Sequence, residues 1–164
     1  MADADVSPEL REALRGLEDR LGTTVTDVTD GHARWELYRA ALASDAARPG
    51  LLAAVVAESD GALASGVVGE ALERVPRADR NVWVEALSPS VRAFSERRAR
   101  ELGVLEDLRS GAVAPVPDAG SVADWSDWLQ LRIAAEVSDG AVLRLLAESG
   151  RTKRIRRAAT ESLG

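Results

Sequence analysis

The residues best suited to bind a charged partner form a dense basic cluster near the C-terminus. Five of the seven residues at positions 151–157 are cationic: Arg151, Lys153, Arg154, Arg156 and Arg157. Guanidinium groups bind carboxylates and phosphates through paired hydrogen bonds. At about 100° per residue, the cations from position 153 onward fall on one side of a helix, opposite Ile155 and Ala159. The pattern predicts an amphipathic terminal helix. Its cationic side is open to three interpretations: a solvated face, a site for an acidic protein, or a site for nucleic acid.

Two tryptophans, Trp125 and Trp128, form a second candidate site for a partner. Their spacing of three places them on one face of a helix, beside Asp124 and Asp127 and after a segment rich in Pro and Gly. Large aromatic side chains anchor interfaces, but they also close hydrophobic cores. The favoured interpretation is that at least one of the two caps the core. Trp35 and Trp83 are also predicted core residues.

The sequence contains few residues that are suited to catalysis or metal binding. It has no cysteine and one histidine, His32, which excludes thiolate sites and leaves a Ser-His-Asp system incomplete. Asp27 and Asp30 precede His32 without the alternating carboxylates of a calcium loop, and Asp30 is instead predicted to cap a helix. Paired acids elsewhere lie in polar stretches typical of solvated faces. We therefore predict no catalytic residue, no cofactor and no metal.

Composition and charge narrow the class of partner. The 164 residues are 46% hydrophobic and 29% charged, which is typical of one globular domain spanning residues 1–164. A net charge of −6 argues against general affinity for nucleic acid or anionic membranes. The charge is uneven, because the first 73 residues carry −8 and the last 21 carry +4. The absence of a long apolar run and of a signal-like N-terminus predicts a cytoplasmic protein.

The elements that must position these residues are helices. Apolar residues recur at spacings of three and four, and no run of alternating strand-like residues occurs, so the predicted fold class is all-α. About eight or nine helices are expected, and the pattern places nine segments at about 7–21, 33–44, 51–57, 61–75, 81–87, after Pro89, 125–137, 141–148 and 153–163, with Gly103 as a candidate division of the sixth. Ser7, Pro8 and Gly22 delimit the first helix. Residues 110–121 are rich in Pro and Gly and are predicted to form a long internal loop.

One tetrapeptide occurs twice and points to a repeat. Ser-Asp-Gly-Ala stands at 59–62 and again at 138–141, an offset of 79 residues, close to two of the roughly 40-residue helical pairs of HEAT-type proteins. A common turn used twice in an ordinary bundle is the open alternative. Residues 128–159, WLQLRIAAEVSDGAVLRLLAESGRTKRIRRAA, resemble the paired-helix units of bacterial HEAT-like and leucine-rich-repeat-variant proteins. Residues 51–75 resemble a more degenerate unit.

The resemblance implies a short array of stacked antiparallel helix pairs, a HEAT-like α-solenoid. Such proteins are mostly scaffolds for macromolecular contacts, although one HEAT-like group comprises DNA glycosylases for alkylated bases. The function expected is a non-catalytic scaffold or adaptor that binds another protein, through an acidic surface of that partner, at the basic cluster and at Trp125 and Trp128. The alternatives are a nucleic-acid-contacting protein that uses the same arginines, and an enzyme of unknown reaction. No membrane partner is expected, and the oligomeric state is left open.

Overall fold

The computed structural model describes residues 6–111 and 116–164, and within these ranges it contains helices and connecting turns but no strand. The all-α prediction is confirmed. The chain forms two compact units, Met1–Ala99 and Arg100–Gly164. The prediction of a single domain stays a prediction.

The first unit contains five complete helices and the start of a sixth. They are α1 (Pro8–Leu21), α2 (Gly31–Leu42), α3 (Arg48–Ala57), α4 (Gly61–Leu72), α5 (Arg80–Glu85) and α6 (Ala93–Ser110), the last of which continues into the second unit. Short 3₁₀ turns at Asp45–Ala47, Arg77–Asp79 and Pro89–Val91 join some of them. Ser7 caps α1 by accepting a hydrogen bond from the Leu10 amide, and Gly22 ends it at a φ of 65°. These are the boundaries that the sequence predicts. Helix α1 packs mainly on α3, and α2 packs on α4.

A buried ion pair joins two helices of this unit. Arg34 on α2 donates two hydrogen bonds to the Glu58 carboxylate, at 2.9 and 3.0 Å, and their side chains are 4% and 0% exposed. The Tyr38 hydroxyl donates a third hydrogen bond to Glu58 at 2.7 Å. Burial lowers the pKa of Arg34, but the hydrogen bonds and charge of Glu58 outweigh this and raise it. Every charged atom is therefore compensated, as a buried pair requires.

The second unit holds the remaining helices around a hydrophobic core. After α6 come α7 (Ala119–Asp124), α8 (Asp127–Glu136), α9 (Gly140–Ser149) and α10 (Lys153–Leu163). Helix α10 packs on α9 and α8, and α7 packs on α9. The core brings together side chains of all five helices: Leu105, Leu108, Val122, Trp125, Leu129, Ile133, Ala134, Val137, Val142, Leu146, Ile155 and Ala159.

Both ends of the predicted loop at 110–121 are helical in the structure, and the helix count is higher. Helix α6 runs through Ser110 and α7 begins at Ala119, which gives ten α-helices in the described residues instead of eight or nine. The additional helix is α7, whose start is stabilised by a capping box. The Asp118 carboxylate accepts a hydrogen bond from the Ser121 amide at 2.9 Å, and the Ser121 hydroxyl accepts one from the Asp118 amide. Residues 112–115 of the predicted loop lie outside the described residues.

The repeated tetrapeptide marks two helical pairs with matching boundaries. Shifting α3 by 79 residues gives the bounds of α8, and the same shift takes the start of α4 to the start of α9. Asp60 caps α4 and Asp139 caps α9, each by accepting hydrogen bonds from amides of the first turn. The fully buried position of Leu51 corresponds to Gln130, which is also fully buried. The two pairs therefore share a helical frame, with one polar replacement in the core.

Candidate partner-binding surface

The basic cluster lies on and just before α10, and the two faces of this helix are sharply different. The Thr152 hydroxyl caps the helix by accepting a hydrogen bond from the Ile155 amide at 3.2 Å. Ile155 and Ala159 are buried in the core, 1% and 0% exposed. The amphipathic terminal helix is confirmed, and its cationic side faces away from the core.

Two cations of the cluster are used by the chain itself. The Arg151 guanidinium donates hydrogen bonds to the carbonyl oxygens of Ala123 and Trp125, both at 2.8 Å, and pairs with Asp127 at 2.5 Å. Arg156 donates to the Gly150 carbonyl at 2.6 Å. These contacts fix the turn before α10 and tie it to α7 and α8. The sequence-predicted site therefore contains two cations whose contacts hold the fold together.

The other three cations point into solvent. Lys153 and Arg154 are exposed, and no partner for either side chain occurs among the residues that the structure describes. Arg157 is 82% exposed in its side chain and pairs only with Glu161 of the same helix, at 2.8 Å. We call Lys153, Arg154 and Arg157 the cationic face. They span about 100° of the helix surface, which leaves all three able to contact one ligand.

The cationic face occupies the end of the helix where positive charge is least favourable. Lys153 and Arg154 are the first two residues of α10, whose first turn contains no acidic residue. The helix dipole places partial positive charge at this end, so it repels these side chains and attracts anions. Most of the described helices also lack an acid in the first turn, but α10 alone among them begins with two cations. The start of α10 thus combines two exposed cations with the positive end of the helix dipole.

The two tryptophans of the second predicted site have different environments. Trp125 is 8% exposed and belongs to the core, which confirms that at least one of the pair caps it. Trp128 is half-buried, packs against the edge of the same core, and lies beneath the Arg132 guanidinium at 5.0 Å. Trp83 is in the core as predicted, whereas Trp35 is only half-buried. Of the Trp125–Trp128 pair, only Trp128 presents substantial surface to a partner.

Comparisons with models of protein families, with curated proteins and with solved structures give no match for this chain. Within the part of the chain that the structure describes, no helix has both the length and the apolar character needed to cross a lipid bilayer.

Three polar residues that position the site were missed in the sequence. Gln130, fully buried, donates hydrogen bonds to the carbonyls of Val122 and Trp125 and accepts one from the Arg151 amide at 3.0 Å. The Glu101 carboxylate receives two hydrogen bonds from Ser126, at 2.9 and 2.7 Å, at the start of α8. Arg132 stacks on Trp128. A single polar residue within an amphipathic helix pattern resembles a solvated one, although the alignment of Gln130 with Leu51 at the 79-residue offset marks it as inward-facing.

The remaining candidates lie in the first unit and bring no reactive groups together. Asp30 caps α2 by accepting a hydrogen bond from the His32 amide at 2.9 Å, as predicted. His32 lines a groove of about 360 Å³ together with the threonines that follow α1. A second groove of about 360 Å³ has an apolar wall that includes Leu52 and Trp83. No group of three His, Asp or Glu side chains within residues 6–111 and 116–164 is arranged to hold a metal ion.

Proposed function

We propose that this protein is a cytoplasmic, non-catalytic helical scaffold or adaptor, and that the cationic face of α10 binds an acidic surface of another protein. The observation that carries the proposal is the pair of exposed cations, Lys153 and Arg154, at a helix N-terminus that has no acid in its first turn. An anionic side chain of a partner would be attracted both by the cations and by the helix dipole.

The stability cost of this arrangement supports a binding role. Cations at the first turn destabilise a helix by about 0.3–1 kcal/mol each at low ionic strength. An acid at this end stabilises a helix instead, as Glu9 does in the first turn of α1. Residues that break a local stability rule without a compensating contact are concentrated at functional sites. Lys153 and Arg154 fit this description, whereas Arg151 and Arg156 have contacts within the fold.

Packing within each unit supports the finer proposal of stacked, HEAT-like helix pairs. In such arrays each helix contacts the helix two positions along the chain, because successive pairs stack in register. In the first unit α1 packs on α3 and α2 on α4, and in the second unit α7 packs on α9 and α8 on α10. The shared frame of α3–α4 and α8–α9 agrees with an array built from one kind of pair.

Nucleic acid is the less favoured ligand for the same face. A polyanion gains affinity by contacting many cations along its length. Here only three cations form the face, and exposed acids lie close to it: Glu161 on the same helix, and Asp127 at the start of the neighbouring α8. A short acidic segment of a protein can contact Lys153 and Arg154, which lie about two helical turns from Glu161.

The test compares two labelled probes by fluorescence anisotropy at low and physiological salt. One is a twelve-residue Glu-rich peptide with one central Phe, and the other is a short DNA duplex. The variant Lys153→Glu/Arg154→Glu should weaken peptide binding at least about tenfold, the scale of two lost charge-assisted contacts. The matched control Arg15→Glu/Arg144→Glu changes the net charge equally at exposed positions and should bind as the unaltered protein does.

Three outcomes would contradict the proposal. They are no peptide binding by the unaltered protein at low salt, an equal loss of affinity in the control, and tighter, more salt-sensitive binding of the duplex than of the peptide. The last would favour the nucleic-acid alternative, because its affinity must fall steeply with salt.

A further inference from the structure

Helices α8 and α10 lie side by side and run in the same direction. At one end, Arg151, two residues before α10, pairs with Asp127, the first residue of α8. At the other end, the Ser162 hydroxyl donates a hydrogen bond to the Ala134 carbonyl at 2.6 Å. The paired positions differ by 24 and 28 residues, and Gln130 and Arg151 differ by 21, so a residue of α8 lies level with a residue 21–28 positions later. Trp128 therefore lies level with the start of α10.

The exposed sides of the two helices face the same way. On α8 the buried residues Leu129 and Ile133 define the core side; Trp128 lies about 100–140° around the helix from them, and Arg132 about 60–100°. On α10, Ile155 and Ala159 define the core side. Arg154 lies about 100–140° around α10 from these two residues and about 80° from Ser162, which contacts α8. With two parallel helices over one core, these outer sides form a continuous surface.

This surface has an apolar strip between two sets of cations. Leu131 and Ala158 are half-buried and pack against the core. Each lies about 40° around its helix from a residue that bonds across to the other side, Asp127 and Ser162. Trp128 borders this strip, with the Arg132 guanidinium stacked on its ring at 5.0 Å. Arg154 and Arg157 stand on the other side, on α10. Arg132 also pairs with Glu136, so its guanidinium is held in place over the ring.

We infer that Trp128 and the cationic face form one composite site, which binds an acidic segment through an aromatic or aliphatic side chain placed between its carboxylates. The inference rests on the proposed function and names the partner more closely. The apolar side chain packs against Trp128 and the strip, while flanking carboxylates reach Arg154 and Arg157. Half-buried tryptophans flanked by arginine are typical centres of binding energy in interfaces. Asp127 and Glu161 at the two ends of the surface limit the segment to a short one.

The test is a titration of isotope-labelled protein with the Phe-containing Glu-rich peptide, followed by NMR. A Trp128→Phe spectrum assigns the Trp128 indole signal. The amides of residues 153–157 and this indole should shift together with one dissociation constant, while the indole of the buried Trp125 stays in place. If the α10 amides shift and the Trp128 indole does not, the composite site is wrong and the proposed function stands. If no signal shifts, both are wrong.

A variant checks the energetic role of the ring. Trp128→Leu keeps an apolar contact with the core and removes the aromatic surface. It should weaken binding of the Phe-containing peptide about fivefold, the scale of one aromatic contact. It should leave binding of a peptide with Ala in place of Phe unchanged. Equal affinity of the two peptides for the unaltered protein would overturn the inference even if both bind.

Discussion

Replacing the first two cations of α10 by acids should stabilise the protein while removing its binding site. In Lys153→Glu/Arg154→Glu, two repulsive charges at the positive end of the helix become attractive ones. Each reversal is worth at least about 0.6 kcal/mol, twice the lower bound for one charge at a helix end. A glutamate at position 153 would also attract Arg157 four residues later, where Lys153 now repels it, which adds about 0.5–1 kcal/mol. The total is about 2 kcal/mol.

The assay is thermal unfolding followed by circular dichroism at low and high salt. For a chain of this size, about 2 kcal/mol corresponds to a rise in Tm of about 4–8 °C at low salt. High salt should shrink the rise, because these charges are exposed and screened. The control Arg15→Glu/Arg144→Glu places acids in helix interiors, where a glutamate at position 15 would lie near Glu12 and Asp19. It should leave the Tm unchanged or slightly lower.

A lower Tm for Lys153→Glu/Arg154→Glu than for the unaltered protein would refute the reasoning. It would mean that these cations stabilise the fold through contacts of their own, and the main argument for a binding role would fail. An equal rise in the control would refute it differently, by showing that net charge and not position decides the effect.

Further predictions concern the buried groups. Glu58→Ala leaves the buried Arg34 guanidinium unpaired and should cost about 3–5 kcal/mol in urea unfolding. Burial and the hydrogen bond to Glu58 raise the pKa of Tyr38, the single tyrosine. The contribution of Tyr38 to the free energy of unfolding is therefore fully present below pH about 10. It falls as the pH rises above this value, because there the tyrosine ionises only in the unfolded state. Phenolate absorbance should appear only on alkaline unfolding, and Tyr38→Phe should flatten the alkaline loss. In Gly150→Ala the added Cβ would lie 2.6 Å from a backbone oxygen, which should lower stability by about 1–3 kcal/mol. Gly16→Ala, with open space around it inside α1, should raise stability by about 0.5–1 kcal/mol in the same urea assay.

The sequence predicts the helices well because their ends are set by local chemistry. Ser7 and Asp30 cap helices with their own side chains, and the amphipathic pattern of α10 depends on residues that are three and four positions apart. Helix α7 was missed for the opposite reason. It is six residues long, too short for a periodic pattern, and its capping box at Asp118 lies in a segment whose Pro and Gly content favours a loop.

The candidate site could be predicted only in part. The sequence shows directly which residues are charged, but the partner of each charge depends on the three-dimensional packing. The sequence shows five cations but not that Arg151 reaches the carbonyls of Ala123 and Trp125, 28 and 26 residues away. Side-chain contacts of that range depend on how α7, α8 and α10 pack. The same holds for Trp128, whose exposure and stacking on Arg132 depend on which side of α8 faces the core.

The difference between the two helical pairs explains how the second one holds the cationic face in place. Leu51 on α3 fills its core position with an apolar side chain, whereas its counterpart Gln130 on α8 bonds to two carbonyls of the α7 end and to the Arg151 amide. A buried amide that satisfies three backbone groups fixes their relative position more tightly than an apolar contact does, since hydrogen bonds are directional and costly to leave unmade. Arg151 is thereby held at both its backbone and its guanidinium, and it stands directly before the cap of α10. The polar replacement in the repeat thus orients the helix that carries Lys153 and Arg154.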